Sequence, residues 1–188
     1  MKLLTRENVV EKVKKGESLS GVNLSQVDLS YSNLKAGDFS GADLSGSHLQ
    51  NANLEKANLK GANLENAFLF GANLKEANLE GSNLKNANLQ DTNLEKANLK
   101  GTDLSNLSLF GAQLDGANLE NAVLHGTKLK RASMIGTNLK NADLSGAHLQ
   151  RAVLKDADLT NTNLEGANLS HAELTGAKLP PESTKILP

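Results

Sequence analysis

Four histidines, His48, His125, His148 and His171, are the side chains of this chain best suited to proton transfer or metal binding near neutral pH. Catalysis needs different groups converging in one concave place, and these four do not announce one. No HExxH signature, phosphate-binding loop, dinucleotide fingerprint or nucleophile elbow occurs. Stretches such as GADLSG set Ser beside Gly, but they belong to a repeat. The absence of cysteine removes disulfides, thiolate metal sites and Cys nucleophiles. From these residues we expect no enzyme, no catalytic residues, no metal, no cofactor and no small-molecule substrate.

The elements that position these residues follow from one pattern. Thirty-three consecutive pentapeptides share a register from Leu19 to Leu179. Every fifth residue is Leu, except Phe39 and Met134. The residue two before it is nearly always small (Ala42, Ala52, Ser82, Thr92), and the residue between is usually Asn or Asp. A helix turns about 100° per residue, so Leu at every fifth position would spread around it and leave no polar face. A flat strand fails as well, because five is odd and successive Leu would point to opposite sides. The period works only if the chain turns a corner once per five residues and keeps each Leu inward.

Surface charge sets the number of sides. At a spacing of 20, Lys60, Glu80, Lys100, Glu120 and Lys140 alternate in sign, as do Glu55, Lys75 and Glu95, and Glu65 meets Lys85. Only Glu95 with Asp115 brings like charges together. A spacing of 15 puts Lys60 over Lys75 and Glu65 over Glu80; a spacing of 25 puts Lys60 over Lys85. Stacked coils lie about 4.8 Å apart, where like charges repel. Four sides and 20 residues per coil is the winding that avoids repulsion. The segment 54–80 recurs as 94–120, a shift of two such coils. His48 and His148 then share a side but lie five coils apart, roughly 24 Å, too far for one metal.

Matching stretches such as ANLKGANLENA, ADLSGAHLQ and ANLEGSNLKNANL resemble the pentapeptide repeat family, written A(D/N)LXX. The resemblance covers residues 17–179. It implies an all-β solenoid, a right-handed quadrilateral parallel β-helix of about eight coils, and a rod roughly 40 Å long at ~4.8 Å per coil. The helix-capped start and Pro-containing tail also resemble small cyanobacterial members.

Three segments are expected: a helical cap over 1–16, the repeat over 17–179, and a tail or cap over 180–188. Thr5 is placed to cap a helix whose Val9, Val10 and Val13 form an apolar stripe, with Leu4 stapled onto Val9 and Gly16 as its stop. A bare coil end needs such a cover. Pro180 and Pro181 end the ladder, and Ile186 and Leu187 offer apolar groups for a tail that folds back. Gly recurs two after the Leu, where a corner requires positive φ. Asn before the Leu is placed to hydrogen-bond backbone near the corners.

A formal net charge of −1 argues against a polyanion-mimicking surface and against a strongly basic nucleic-acid binder. No apolar run is long enough to cross a membrane, and Met1 to Leu4 lacks the apolar core of a signal peptide, so a cytoplasmic location is expected. Capped ends favour a monomer; an uncapped C-terminal coil would pair end to end.

Three features depart from the repeat. Phe68, Phe70, Phe110 and Ile135 stand where polar residues normally face water, and Phe70 and Phe110 share a column with Gln90 between them. Lys128, Lys130, Arg131, Lys140, Arg151 and Lys155 are a basic cluster in which Arg131 and Arg151 stack, which reads first as a solvated face and second as a weak patch for an acidic partner. Inside, Phe39 and Met134 replace Leu, and Leu107 replaces a small residue and should bulge its side or displace a neighbour. Phe68, Phe70, Phe110, Ile135, Arg131 and Arg151 are therefore the candidate partner-binding residues. The expected role is a non-catalytic structural scaffold for an unknown protein partner. The alternative implied by the resemblance is DNA mimicry against DNA gyrase, as in the quinolone-resistance branch. Near-neutral charge, a basic C-terminal half and an uninterrupted repeat oppose it.

Overall fold

A computed structural model of the protein describes residues 4–181. One helix, α1 (Arg6–Lys14), precedes a continuous solenoid held by parallel bridges between residues 20 apart, from Asn23 with Asp43 to Asp158 with Lys178. Each coil therefore takes twenty residues and four Leu, and has four sides. We number them from the Leu each carries: the first with Leu19, the second with Leu24, the third with Leu29, the fourth with Leu34. The sides are shorter than ordinary strands, each contributing a single bridged residue before the chain bends.

Each part of the A(N/D)LXX unit answers a backbone requirement. Every main-chain N–H must find an acceptor, and in the unit 52–56 all five do. Ala52 N–H bonds the Leu49 carbonyl at 3.0 Å, Asn53 N–H reaches back a coil to Ser32 at 2.9 Å, and Leu54 N–H reaches forward to Asn73 at 2.7 Å. Glu55 N–H is taken by the Asn53 side-chain oxygen at 3.1 Å, and Lys56 N–H by Lys75 at 2.8 Å. The Asn or Asp thus supplies the one acceptor that the backbone lacks. The second residue after each Leu turns the corner with positive φ, +65° at Gly61 and +58° at Asn66. Gly adopts this region freely, and Asn tolerates it better than most residues.

The Leu columns are solvent-free inside, and the small residues beside them are buried. Where Ser or Thr replaces Ala, several hydroxyls donate to a core-facing carbonyl, Ser82 to Leu79 at 2.8 Å, Thr102 to Leu99 at 2.7 Å and Thr137 to Leu114 at 2.8 Å, while the buried Ser47 hydroxyl finds no partner. Outside, Asn side chains donate to one another along the axis. The first side carries the run Asn78, Asn98, Asn118 and Asn138 at 3.1, 3.3 and 3.0 Å. Opposite charges stack as the sign pattern requires in Lys60 with Glu80 (3.4 Å), Lys75 with Glu95 (2.7 Å) and Lys100 with Glu120 (3.1 Å). Four expected pairs do not form. Glu55 bonds Lys35 rather than Lys75, and Glu80 bonds Lys60 rather than Lys100. Glu65 accepts from Asn83 at 3.5 Å instead of meeting Lys85, and Lys140 bonds Asp158 at 3.4 Å instead of Glu120.

Helix α1 closes the first coil. Thr5 and Asn8 form a reciprocal capping box, and Gly16 follows the helix with φ +69°. Val9 is fully buried, while Leu4, Val10 and Val13 pack against the same core. Phe39 fills the space under the helix because its neighbour is Gly37. A Cβ on Gly37 would lie 2.6 Å from the Phe39 ring and 3.1 Å from Val13. At the far end Leu174 and Leu179 are only partly buried by the described residues. The tail expected over 182–188, with Ile186 and Leu187, lies outside them.

Leu107 has a larger effect than a bulge. Its side chain is buried where the other coils of its column hold Ser47, Ala67, Ala87 and Thr127. Beside it the ladder opens. The register calls for bonds from Gly81, Leu84, Asn86 and Leu89 to the coil above, and from Asp103 and Ser108 to the coil below. Among the described residues all six are missing, as is the bridge between Asn83 and Asp103. A cleft of about 160 Å³ stands there, lined by Ser82, Asn83, Leu84, Asp103, Ser105 and Leu107. The extra methyls of one Leu are accommodated by parting two coils, which is the cost of overpacking a close-packed interior.

Candidate functional site

The four sides are not equivalent outside. The first and second sides carry stacked Asn or Asp for most of their length, and the fourth does so from Asn33 to Asn93, before Gln113, Ser133, Val153 and Glu173. The third side reads Asp28, His48, Phe68, Asn88, Ser108, Lys128, His148 and Asn168 along its outward column. Its exit corner reads Gln50, Phe70, Gln90, Phe110, Lys130 and Gln150 from the second coil upward. The amide ladder is lost on this side because only Asn88 and Asn168 of its outward column carry an amide.

The lower part of this side is aromatic. The His48 and Phe68 rings stack with centroids 4.9 Å apart and tilted by 42°. Phe68 and Phe70 are exposed by 44% and 42%. Gln90 continues the Phe70 column and donates its side-chain amide to Ser108 at 3.0 Å. Above it lies an open groove of about 410 Å³ lined by Ser108, Phe110, Lys128, Lys130, His148 and Gln150. Arg131 and Arg151 turn the adjoining corner, each with positive φ (+61° and +58°). A long side chain in that conformation is uncommon, and the two Arg stack in one column beside Lys130 and Gln150.

Among the described residues, Lys128, Lys130, Arg131 and Arg151 form no salt bridge. From Ser108 to His171 the outward column of the third side and its exit corner hold no carboxylate. Asp91 lies one coil below and Glu165 at the entry corner. The Oε1 of Gln150 is buried in the groove wall with no hydrogen-bond partner. The groove is thus apolar at Phe110 and cationic at Lys128 and Lys130, and the buried, unpartnered side-chain oxygen of Gln150 recurs at Gln50 lower on the same corner.

The coil places the six candidate binding residues unevenly. Phe68, Phe70, Phe110, Arg131 and Arg151 come together on the third side and its exit corner. Ile135, 40% exposed, stands at the exit of the fourth side, where its N–H bonds Asp115 at 2.9 Å. Lys140 and Lys155 also leave the basic cluster, on other corners. Sequence reading divided one surface into an aromatic feature and a basic feature. Residue number modulo 20 was the signal that joins them, and it also brings in Gln90, His148 and Gln150. Tyr31, 76% exposed, is a further aromatic at the same corner.

The histidines are not gathered. His125 bonds Ser145 at 2.9 Å on another corner. Among the described residues no cluster of His, Asp or Glu is arranged to hold a metal ion, and no helix is long and apolar enough to cross a membrane.

The profile of the family described as pentapeptide repeats matches in 8 copies, over residues 18–46, 38–75, 69–106, 108–146 and 147–180. Among solved structures the chain is similar to HetL, a pentapeptide repeat protein involved in heterocyst differentiation regulation from the cyanobacterium Nostoc sp. strain PCC 7120. Identity is 29%, coverage is 95% of this chain and 98% of that one, and the TM-score is 0.50. It is also similar to a trypsin-treated variant of QnrB1, a plasmid-mediated fluoroquinolone resistance protein, with 21% identity, coverage of 89% and 82%, and a TM-score of 0.56. The second likeness is one of fold alone. Comparison with curated proteins gives no match.

Proposed function

The chain belongs to the pentapeptide repeat family, and from that premise we propose that it is a non-catalytic protein-interaction scaffold. It is a stiff, right-handed quadrilateral β-helix acting in the cytosol as a monomer, with the third side presented to a protein partner. The observation that carries this reading is the gathering, on the third side, of exposed Phe and of cations with no carboxylate partner. A rigid column repeating at ~4.8 Å fixes these groups without the entropy loss that a flexible surface would meet on binding. Similarity to HetL, a protein of regulation, favours binding over turnover.

DNA mimicry requires an extended negative surface, and the third side between Ser108 and His171 has the opposite sign. Addition of the protein should leave gyrase supercoiling unchanged. The scaffold reading is tested by a photoreactive residue placed at Phe110 or, separately, at Val123 (second side), Ile135 (fourth) or Lys100 (first), each in the native host. We expect one discrete protein adduct from Phe110 and none from the others. Equal labelling from all four sides, or turnover of a small substrate by the purified chain, contradicts it.

A further inference from the structure

We propose that the upper third side, from Ser108 to His171, is the docking surface for an extended, carboxylate-rich segment of the partner protein, with an apolar side chain of that segment seated against Phe110. The inference rests on the scaffold reading and specifies the partner's chemistry.

Charge complementarity is the first argument. Elsewhere on the rod cations are commonly matched one coil away, as Lys35 is with Glu55 and Lys60 with Glu80. Here Lys128, Lys130, Arg131 and Arg151 have no carboxylate among them, so their fields add along one strip. Arg131 and Arg151 repeat by one coil, about 4.8 Å, on a ladder that does not bend. An Arg presents a planar fork suited to a carboxylate.

The groove suits a peptide better than the other polyanion. Nucleic acid would present phosphates, which are acceptors only, to the unpartnered Gln150 Oε1 in the groove wall. A peptide strand supplies N–H donors from its backbone and carboxylates to the cations from its Asp and Glu side chains. Phe110 lies at the foot of the groove, below Lys130 and Gln150 in the same column, and gives one apolar side chain a place to be buried. The strip from Ser108 to Asn168 spans three coil steps, roughly 14 Å, the reach of four or five extended residues. The protein's net charge of −1 also gives a nucleic-acid backbone nothing to follow beyond this strip.

The test is selection of a random phage-displayed peptide library on the full chain, followed by titration of the selected peptides. Recovered peptides should be enriched in Asp and Glu around one apolar or aromatic residue. Their affinity should fall at least tenfold on the triple variant K130E/R131E/R151E, fall separately on Phe110→Ser, and weaken as salt is raised. Both variants alter exposed groups, so an unchanged melting temperature shows that the rod is intact. Peptides without acidic enrichment, or peptides that bind the triple variant equally well, overturn the proposal. So does a single-stranded oligonucleotide that binds more tightly than the best peptide. If Phe110 still captures a partner in the host while acidic peptides fail, the scaffold reading stands and this inference falls.

Discussion

At the scale of single residues, inward Leu and outward charges should behave oppositely. Leu99 is fully buried, so Leu99→Lys places an unpaired ammonium in an apolar column, and we expect loss of the cooperative thermal transition. Its neighbour Lys100 makes an exposed pair with Glu120 at 3.1 Å. Lys100→Glu should cost less than about 1 kcal/mol in a denaturant titration, because exposed pairs contribute little. Gly37 is different again. Its φ is unexceptional, and its role is to leave room for Phe39 beneath α1. Gly37→Ala should destabilise by about 1–3 kcal/mol, the usual range for overpacking, and Gly37→Ala with Phe39→Leu should recover much of it. Asp158 provides a pH probe. The Thr160 hydroxyl and N–H, then Lys140, hold its carboxyl down at about 2. The unfolded chain therefore binds the proton first, and the stability Asp158 provides, complete above about pH 4, is lost as pH falls through 2. The melting temperature should decline over that window, and less steeply in Asp158→Asn.

At the scale of elements, the corner and the ladder were legible in the sequence for a physical reason. A period of five cannot be absorbed by a helix or a flat strand, and charges such as Lys60, Glu80 and Lys100 carry the 20-residue register on the surface. Thr5, Val9 and Gly16 likewise marked α1 through its cap, stripe and stop. What was not legible is how neighbours yield. Leu107 was visible as an oversized residue, but the response is distributed over two coils, from Gly81 to Ser108. That outcome depends on packing around the Leu, not on its identity. Hydrogen exchange tests it directly. The amides of Leu84, Asn86 and Leu89 should exchange much faster than those of Leu64, Asn66 and Leu69, which are bonded one coil below. Equal protection would mean that the two coils stay paired.

At the scale of the whole molecule, the proposed binding face depends on the winding that brings distant residues into one column. The candidate residues were found in sequence as exceptions to the repeat, which is why Phe110, Arg131 and Arg151 were identified and Ile135, which stands on another side, was grouped with them. In sequence order Ile135 lies between Arg131 and Arg151, but its side of the coil does not. Recognition of a face requires the register as well as the exception, and the amide oxygen of Gln150 becomes informative only once burial is known.

The register is therefore the quantity to measure. The chain has no cysteine, so paired substitutions can be labelled cleanly with pyrene maleimide. Phe110→Cys with Lys130→Cys, 20 residues apart, should give strong excimer emission, whereas Asp115→Cys with Lys130→Cys, 15 apart, should give monomer emission alone. Excimer from the 15-residue pair and none from the 20-residue pair would contradict the four-sided coil and, with it, the face on which Phe110 and the cations meet.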